Sequence, residues 1–184
     1  MRILGIDPGL TRFGVGLIDR VAPKDIRFLS VEVLRSDIAA DLNLRLHTIG
    51  KSLERIFDSA KPDVVSLERV FAQQNVSTVI GTAQISGIAI YLASERNIPV
   101  RLYTPSEVKA AVTGFGSADK KQVTAMVTRI LKLDAPPTPA DAADALALAI
   151  THAWRAGHSA RGTNENKALT PAQVAWLAAE RSGK

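Results

Sequence analysis

Four carboxylates stand out in this chain by type and placement: Asp7, Glu68, Asp141 and Asp144. The last two lie in the stretch ADAADALALAI, residues 140–150. Three residues apart, they share one helix face, where like charges repel and aspartate is already a mediocre helix former. Carboxylates that crowd together raise one another's pKa values or require a cation, and an all-oxygen donor set suits Mg²⁺ or Mn²⁺. Two such ions about 4 Å apart would activate a water and stabilise the leaving oxygen of a phosphodiester. Each acid also has an ordinary reading. Asp7 precedes Pro8-Gly9 and suits an Asx turn, and Glu68 could be a solvated strand end. Thr138, Pro139 and Asp141 match an N-cap, a first helical residue and a third-position capping acid. Asp144 lies past the first turn, where capping and the helix dipole explain less. The metal reading therefore depends on whether the fold brings the four together.

The elements that would do so can be read from apolar periodicity. Residues 2–7 (RILGID), 12–19 (RFGVGLID) and 26–35 (IRFLSVEVLR) read as strands joined by short connections, hence antiparallel hairpins. Leu42, Leu46, Ile49, Leu53, Ile56 and Phe57 follow a helical period. A strand over 63–68, a small-residue-rich helix over 76–96 and a strand over 98–104 come next, then helical segments near 105–113, 119–132 and 139–155. A strand that returns through a helix lies parallel to its neighbour. If 63–68 returns beside 2–7, the sheet is mixed and five-stranded with helices on both faces, an arrangement similar to the ribonuclease H-like fold. Asp7 and Glu68 then end adjacent parallel strands at one edge, where open α/β sheets place ligand sites. The helix holding Asp141 and Asp144 follows the last strand and can pack near that edge.

The 184 residues are 46% hydrophobic, enough for one domain with a sizeable core, assigned to 1–155. A net charge of +5 fits a polyanionic partner. The absence of cysteine excludes a disulfide framework and thiolate metal sites. No apolar run reaches about 18 residues, and a strand beginning at Arg2 leaves no room for a signal peptide, so a cytoplasmic protein without a membrane partner is expected. Residues 156–184 read as a flexible tail, polar and aperiodic over 156–168. A possible short helix follows, with Thr170 as N-cap and Pro171 at its first position.

Four segments, ILGIDPGLTRFGVGLID, SLERVFAQQN, GFGSADKKQV and PADAADALALAITH, occur in this order over about residues 1–155. Together they resemble the RuvC family of bacterial Holliday junction resolvases. The resemblance implies a ribonuclease H-like fold and a homodimeric, Mg²⁺-dependent endonuclease that cuts four-way junction DNA symmetrically. It further implies a branch-migration motor, RuvA–RuvB, as partner. Carried over by position, the family's catalytic and metal-binding acids fall on Asp7, Glu68, Asp141 and Asp144. Its aromatic after the catalytic Glu falls on Phe71, and its DNA-side basic residues fall on Lys109 and Lys120. Where many members read Thr-Gly-Tyr-Gly, this chain has Phe13-Gly14-Val15-Gly16, which implies local repacking.

Lys109, Lys120, Lys121, Arg129 and Lys132 cluster in the region after the last strand and could track phosphates or form a solvated face. The small-residue face of 76–96 could be a dimer interface or tight packing on the sheet. A C₂ dimer would match the twofold relation of two cuts in one junction. Rival functions are an actin- or sugar-kinase-like ATPase, which needs a second phosphate loop and a longer chain, a catalytically dead junction binder, and a related nuclease acting on another nucleic acid.

Overall fold

Short apolar or alternating runs bounded by turns form the strands of one sheet, and longer periodic runs form the helices between them. The computed structural model describes residues 1–23, 25–70 and 76–159. Strands β1 (Arg2–Asp7), β2 (Arg12–Ala22) and β3 (Asp25–Arg35) form an antiparallel meander. Helix α1 (Leu42–Ala60) crosses the sheet to β4 (Val64–Glu68), which pairs parallel to β1. Helix α2 (Val76–Glu95) leads to β5 (Val100–Tyr103), parallel to β4. The order is β3-β2-β1-β4-β5. Helices α3 (Pro105–Thr113), α4 (Lys120–Ile130) and α5 (Ala140–Ser159) complete the chain's described part. This is the mixed five-stranded sheet expected from the sequence.

Strand alternation divides the core in two. Leu4, Ile6, Val65 and Leu67 face α1 and α2, packing with Ile49, Leu53, Phe57, Ile85 and Ala89. Ile3 and Val64 face the other way, onto α3, α4 and α5. Asp7 and Glu68 continue that second alternation and so point to the α5 side.

Two features hold α5 unusually close to the sheet. A Cβ at Gly5 would lie 2.1 Å from the Ala145 carbonyl oxygen, and one at Gly14 would lie 2.3 Å from that of Asp141. These glycines leave room for the helix backbone itself, and Ala142, Ala143, Ala145, Ala147 and Ala149 supply a correspondingly thin, buried surface. In addition, the Ser66 hydroxyl, fully buried in β4, donates to the Leu148 carbonyl at 2.7 Å. The pairing of Asp7 with Gly14 across β1 and β2 sets this glycine beside the acid.

Several boundaries differ from expectation: β2 runs on to Ala22, β5 spans only Val100–Tyr103, α4 only Lys120–Ile130, and α5 departs at both ends. The polar stretch read as a linker from 156 begins inside α5, which runs to Ser159. Extending a helix nucleated by buried turns adds a hydrogen bond per residue at little cost, so composition alone misplaces the end. Helix α5 also begins at Ala140, one residue after the expected Pro139. The rest of the tail, including the possible helix after Thr170, lies outside the described residues. No helix among the described residues is long and apolar enough to cross a membrane.

Candidate active site

Asp7 closes β1, Glu68 closes β4 next to it, and both sit on the face covered by α5. The first turns of α5 carry Asp141 and Asp144 to the same edge. The electrostatics record the convergence. Burial first, then the charges of Glu68, Asp144 and Asp141, push the Asp7 carboxyl up to about 8, against a smaller opposing pull from Lys120. Burial, and after it Asp144, also raises Glu68 above the usual carboxylate range. The four acids thus share one electrostatic environment, although no three of them close around a common point among the described residues.

Cations approach the acids from two sides. Lys120, at the start of α4, places Nζ 3.2 Å from Asp144 Oδ2, and this neighbour chiefly holds its pKa above the ordinary lysine value. From the opposite side Arg12, the first residue of β2, brings Nε to 3.3 Å from Asp141 Oδ2. That approach lies off the line of a hydrogen bond, so Asp141 Oδ2 is buried without a hydrogen-bond partner. The alternative reading of Asp141 as a capping acid is not seen. With the helix starting at Ala140, Asp141 is its second residue, and Thr138 makes no side-chain cap to it among the described residues. A buried carboxylate oxygen that accepts no hydrogen bond, among three further carboxylates, is a donor set that a hard divalent cation would satisfy.

The sequence-derived basic residues divide. Lys120 belongs to the acid cluster. Lys121 is exposed on the first turn of α4, and Lys109 is half-buried on α3. Both of these helices begin with a capping box, closed by Thr104 with Glu107 and by Asp119 with Gln122. Phe71 lies outside the described residues. Arg12 was not among the sequence candidates. Its only signal is the β1–β2 register, which sets the start of β2 beside the end of β1.

A ribonuclease H-like sheet with carboxylates gathered at the ends of β1 and β4, and lysines on the adjoining helices, defines a hydrolytic nuclease. The comparisons with known proteins narrow the class. The family described as crossover junction endodeoxyribonuclease RuvC matches residues 3–152. A crossover junction endodeoxyribonuclease RuvC of Paenarthrobacter aurescens is 53% identical over 184 residues, covering 100% of this chain and 97% of its own length. One from Streptomyces avermitilis is 60% identical over 156 residues, covering 85% and 89%. Among solved structures, T. thermophilus RuvC in complex with Holliday junction substrate superposes with a TM-score of 0.82 at 32% identity. It covers 86% of this chain and 96% of its own. The chain belongs to the RuvC family. The full-length match to the Paenarthrobacter protein also extends the similarity across the tail, beyond the limit near residue 156 that the sequence motifs gave.

Proposed function

We propose that this protein resolves Holliday junctions by divalent-metal-assisted hydrolysis of two symmetry-related phosphodiesters. The observation that carries the reading is the gathering of Asp7, Glu68, Asp141 and Asp144 at one sheet edge in a member of this family. The four carboxylates would hold two Mg²⁺ ions, for which Mn²⁺ can substitute, because the donors are all hard oxygens. Such ions, held by these carboxylates, would supply an activated water for attack on the scissile phosphate and stabilisation of the leaving oxygen. The protein's own part is positional. Gly5, Gly14 and the Ser66–Leu148 bond fix α5 so that Asp141 and Asp144 face Asp7 and Glu68. Lys120 offsets the negative charge at Asp144 and, beside the acids, would meet a phosphate of the substrate. Lys109 and Lys121 contact flanking phosphates, and Phe71 stacks on an unpaired base near the crossover.

The assembly we propose is a homodimer formed through the outer face of α2. Ile80, Ala83, Gly87, Ile90 and Tyr91 are exposed along that face, and a Cβ at Gly87 would meet nothing within 4 Å. It acts on junction DNA in the bacterial cytoplasm, together with the branch-migration motor RuvA–RuvB.

The test compares three substrates in Mg²⁺: a synthetic four-way junction, a linear duplex of the same sequence and an RNA–DNA hybrid. Cutting confined to the junction supports the reading. Equal or faster cutting of the duplex or hybrid would make the protein a nuclease of another substrate class.

A further inference from the structure

The turn between β1 and β2 borders a cavity of about 460 Å³ whose lining includes Thr11, Arg12, Arg45, Thr82 and Asp141. We propose that this cavity is a second phosphate subsite, taking a backbone phosphodiester that neighbours the one cut. The inference rests on the reading of the chain as a junction nuclease and adds a binding site to it, on the side of the acids away from Lys120.

Three observations support it. The first is location. Asp141 belongs both to the acid cluster and to the cavity wall, so a phosphate in the cavity lies beside the site of hydrolysis on the same strand. The second is charge. Two guanidiniums face one carboxylate there, and that carboxylate already has Arg12 at 3.3 Å, which leaves the cavity net positive. Guanidinium matches phosphate oxygens with paired N–H donors, which a lysine cannot do.

The third is preorganisation. Arg45, on α1, donates through Nε to Ser36 Oγ at 3.0 Å and through Nη2 to Thr11 Oγ1 at 2.8 Å. Ser36 is buried, and its hydroxyl donates to the Leu10 carbonyl at 2.5 Å. Its backbone N–H reaches the Thr11 carbonyl at 3.4 Å. The guanidinium and the turn are therefore fixed to each other before any ligand arrives. Of the five N–H donors on Arg45, these bonds use two, which leaves three for an anion. Arg12 has a side chain 55% exposed and is reachable from solvent. Holding one cation rigid lowers the ordering cost of capturing a phosphate.

A purely structural Arg45, tying α1 to the turn, predicts a different outcome from a phosphate ligand. The test uses the full chain and a synthetic junction in EDTA, where binding is read without cleavage. Single phosphates flanking the mapped cut are replaced in turn by uncharged methylphosphonates. Wild type, Arg12→Gln, Arg45→Gln and the double variant are titrated over a salt series. Wild type should lose roughly tenfold in affinity at one flanking position, the scale of a lost charge-assisted hydrogen-bond pair. Its log–log salt slope should fall there by about 0.9, as for one neutralised phosphate. The double variant should show the same deficit on the unmodified junction and no further loss at that position. Because Arg12 is exposed, Arg12→Gln should keep the wild-type melting temperature and still show part of the deficit, so the test does not hang on the folding of Arg45→Gln. A double variant with the wild-type slope, or one as sensitive as wild type at every methylphosphonate position, would overturn the subsite. Wild-type cleavage of the unmodified junction in Mg²⁺ is run alongside. Its failure would remove the nuclease reading and the subsite together, whereas its success with unresponsive variants would remove the subsite alone.

Discussion

Asp7 is the acid on which burial and neighbouring charge act most strongly, and its ionisation has a sign that can be measured. Its carboxyl is pushed up to about 8 in the folded protein, against an ordinary value near 3.8. Between those two values the folded state holds a proton that the unfolded chain has released. Stability from this group is therefore lost as pH rises through that window, and the full cost is present above about pH 8. Asp7→Asn removes the cost. In EDTA it should melt higher than wild type by a margin that grows from pH 4 to pH 8 and then levels off. A constant margin would mean that Asp7 is not ionising in that window. The same proton must leave before a divalent cation binds, so Mg²⁺ affinity should climb with pH below about 8 and flatten above it. At the neighbouring cations, Lys109→Ala should lower the salt slope of junction binding by roughly one. Lys120→Ala should instead slow single-turnover cleavage more than it weakens binding, because its ammonium lies against Asp144. An equal loss in binding and rate would return Lys120 to the role of a simple phosphate contact. Asp141 and Asp144 stood out in the sequence because aspartates on a helix of Ala and Leu are costly without a purpose, and Asp7 and Glu68 because they end the two strands expected to be adjacent. Arg12 was not, because its approach to Asp141 depends on hairpin register and on the depth of α5, neither of which any local pattern carries.

The element that decides the site is α5. Its position depends on a lane of glycines in β1 and β2 rather than on large interlocking side chains. A methyl group at Gly14 would collide with the Asp141 carbonyl oxygen and push the first turn of α5 outwards. Gly14→Ala should therefore cost about 1–3 kcal/mol in stability, as overpacking does. It should also depress cleavage while junction binding stays near wild type. Stability lost with cleavage intact would show that the acids tolerate a shifted helix. At this scale the fold was largely readable: strand periods, the parallel returns through α1 and α2, and helices on both faces all follow from pattern and connection length. What pattern could not supply were helix ends. Composition marks polarity, and polar residues at 156–159 remain helical because buried turns precede them. Nor could the sequence divide the small residues of α2 between its two faces. In the structure Ala89 and Ala93 point into the core, while Ala83 and Gly87 point outwards.

For the whole molecule, the proposed dimer through the exposed stripe of Ile80, Gly87, Ile90 and Tyr91 would tie assembly to outcome. Two cuts made together require two sites held by a twofold axis. Gly87→Arg, which places a long cation on that stripe without touching the core, should yield a folded monomer by sedimentation. That monomer should nick junctions on one strand instead of cutting both in concert. A dimer that persists with paired cuts would place the interface elsewhere. The assembly, the helix position and the charges all bear on the four carboxylates at the ends of β1 and β4 and the start of α5. The most direct test is single-turnover cleavage of a labelled four-way junction in Mg²⁺, with binding measured in parallel. It compares wild type with Asp7→Asn, Glu68→Gln, Asp141→Asn and Asp144→Asn. Each variant should bind the junction with near wild-type affinity, because phosphate contacts carry most of it. Each should cut on the order of a hundredfold to a thousandfold more slowly, the scale set by removing a preorganised charge from a reaction site. Wild-type cleavage by any of the four variants would contradict the assignment of that acid, and by Asp7→Asn or Glu68→Gln would contradict the site itself.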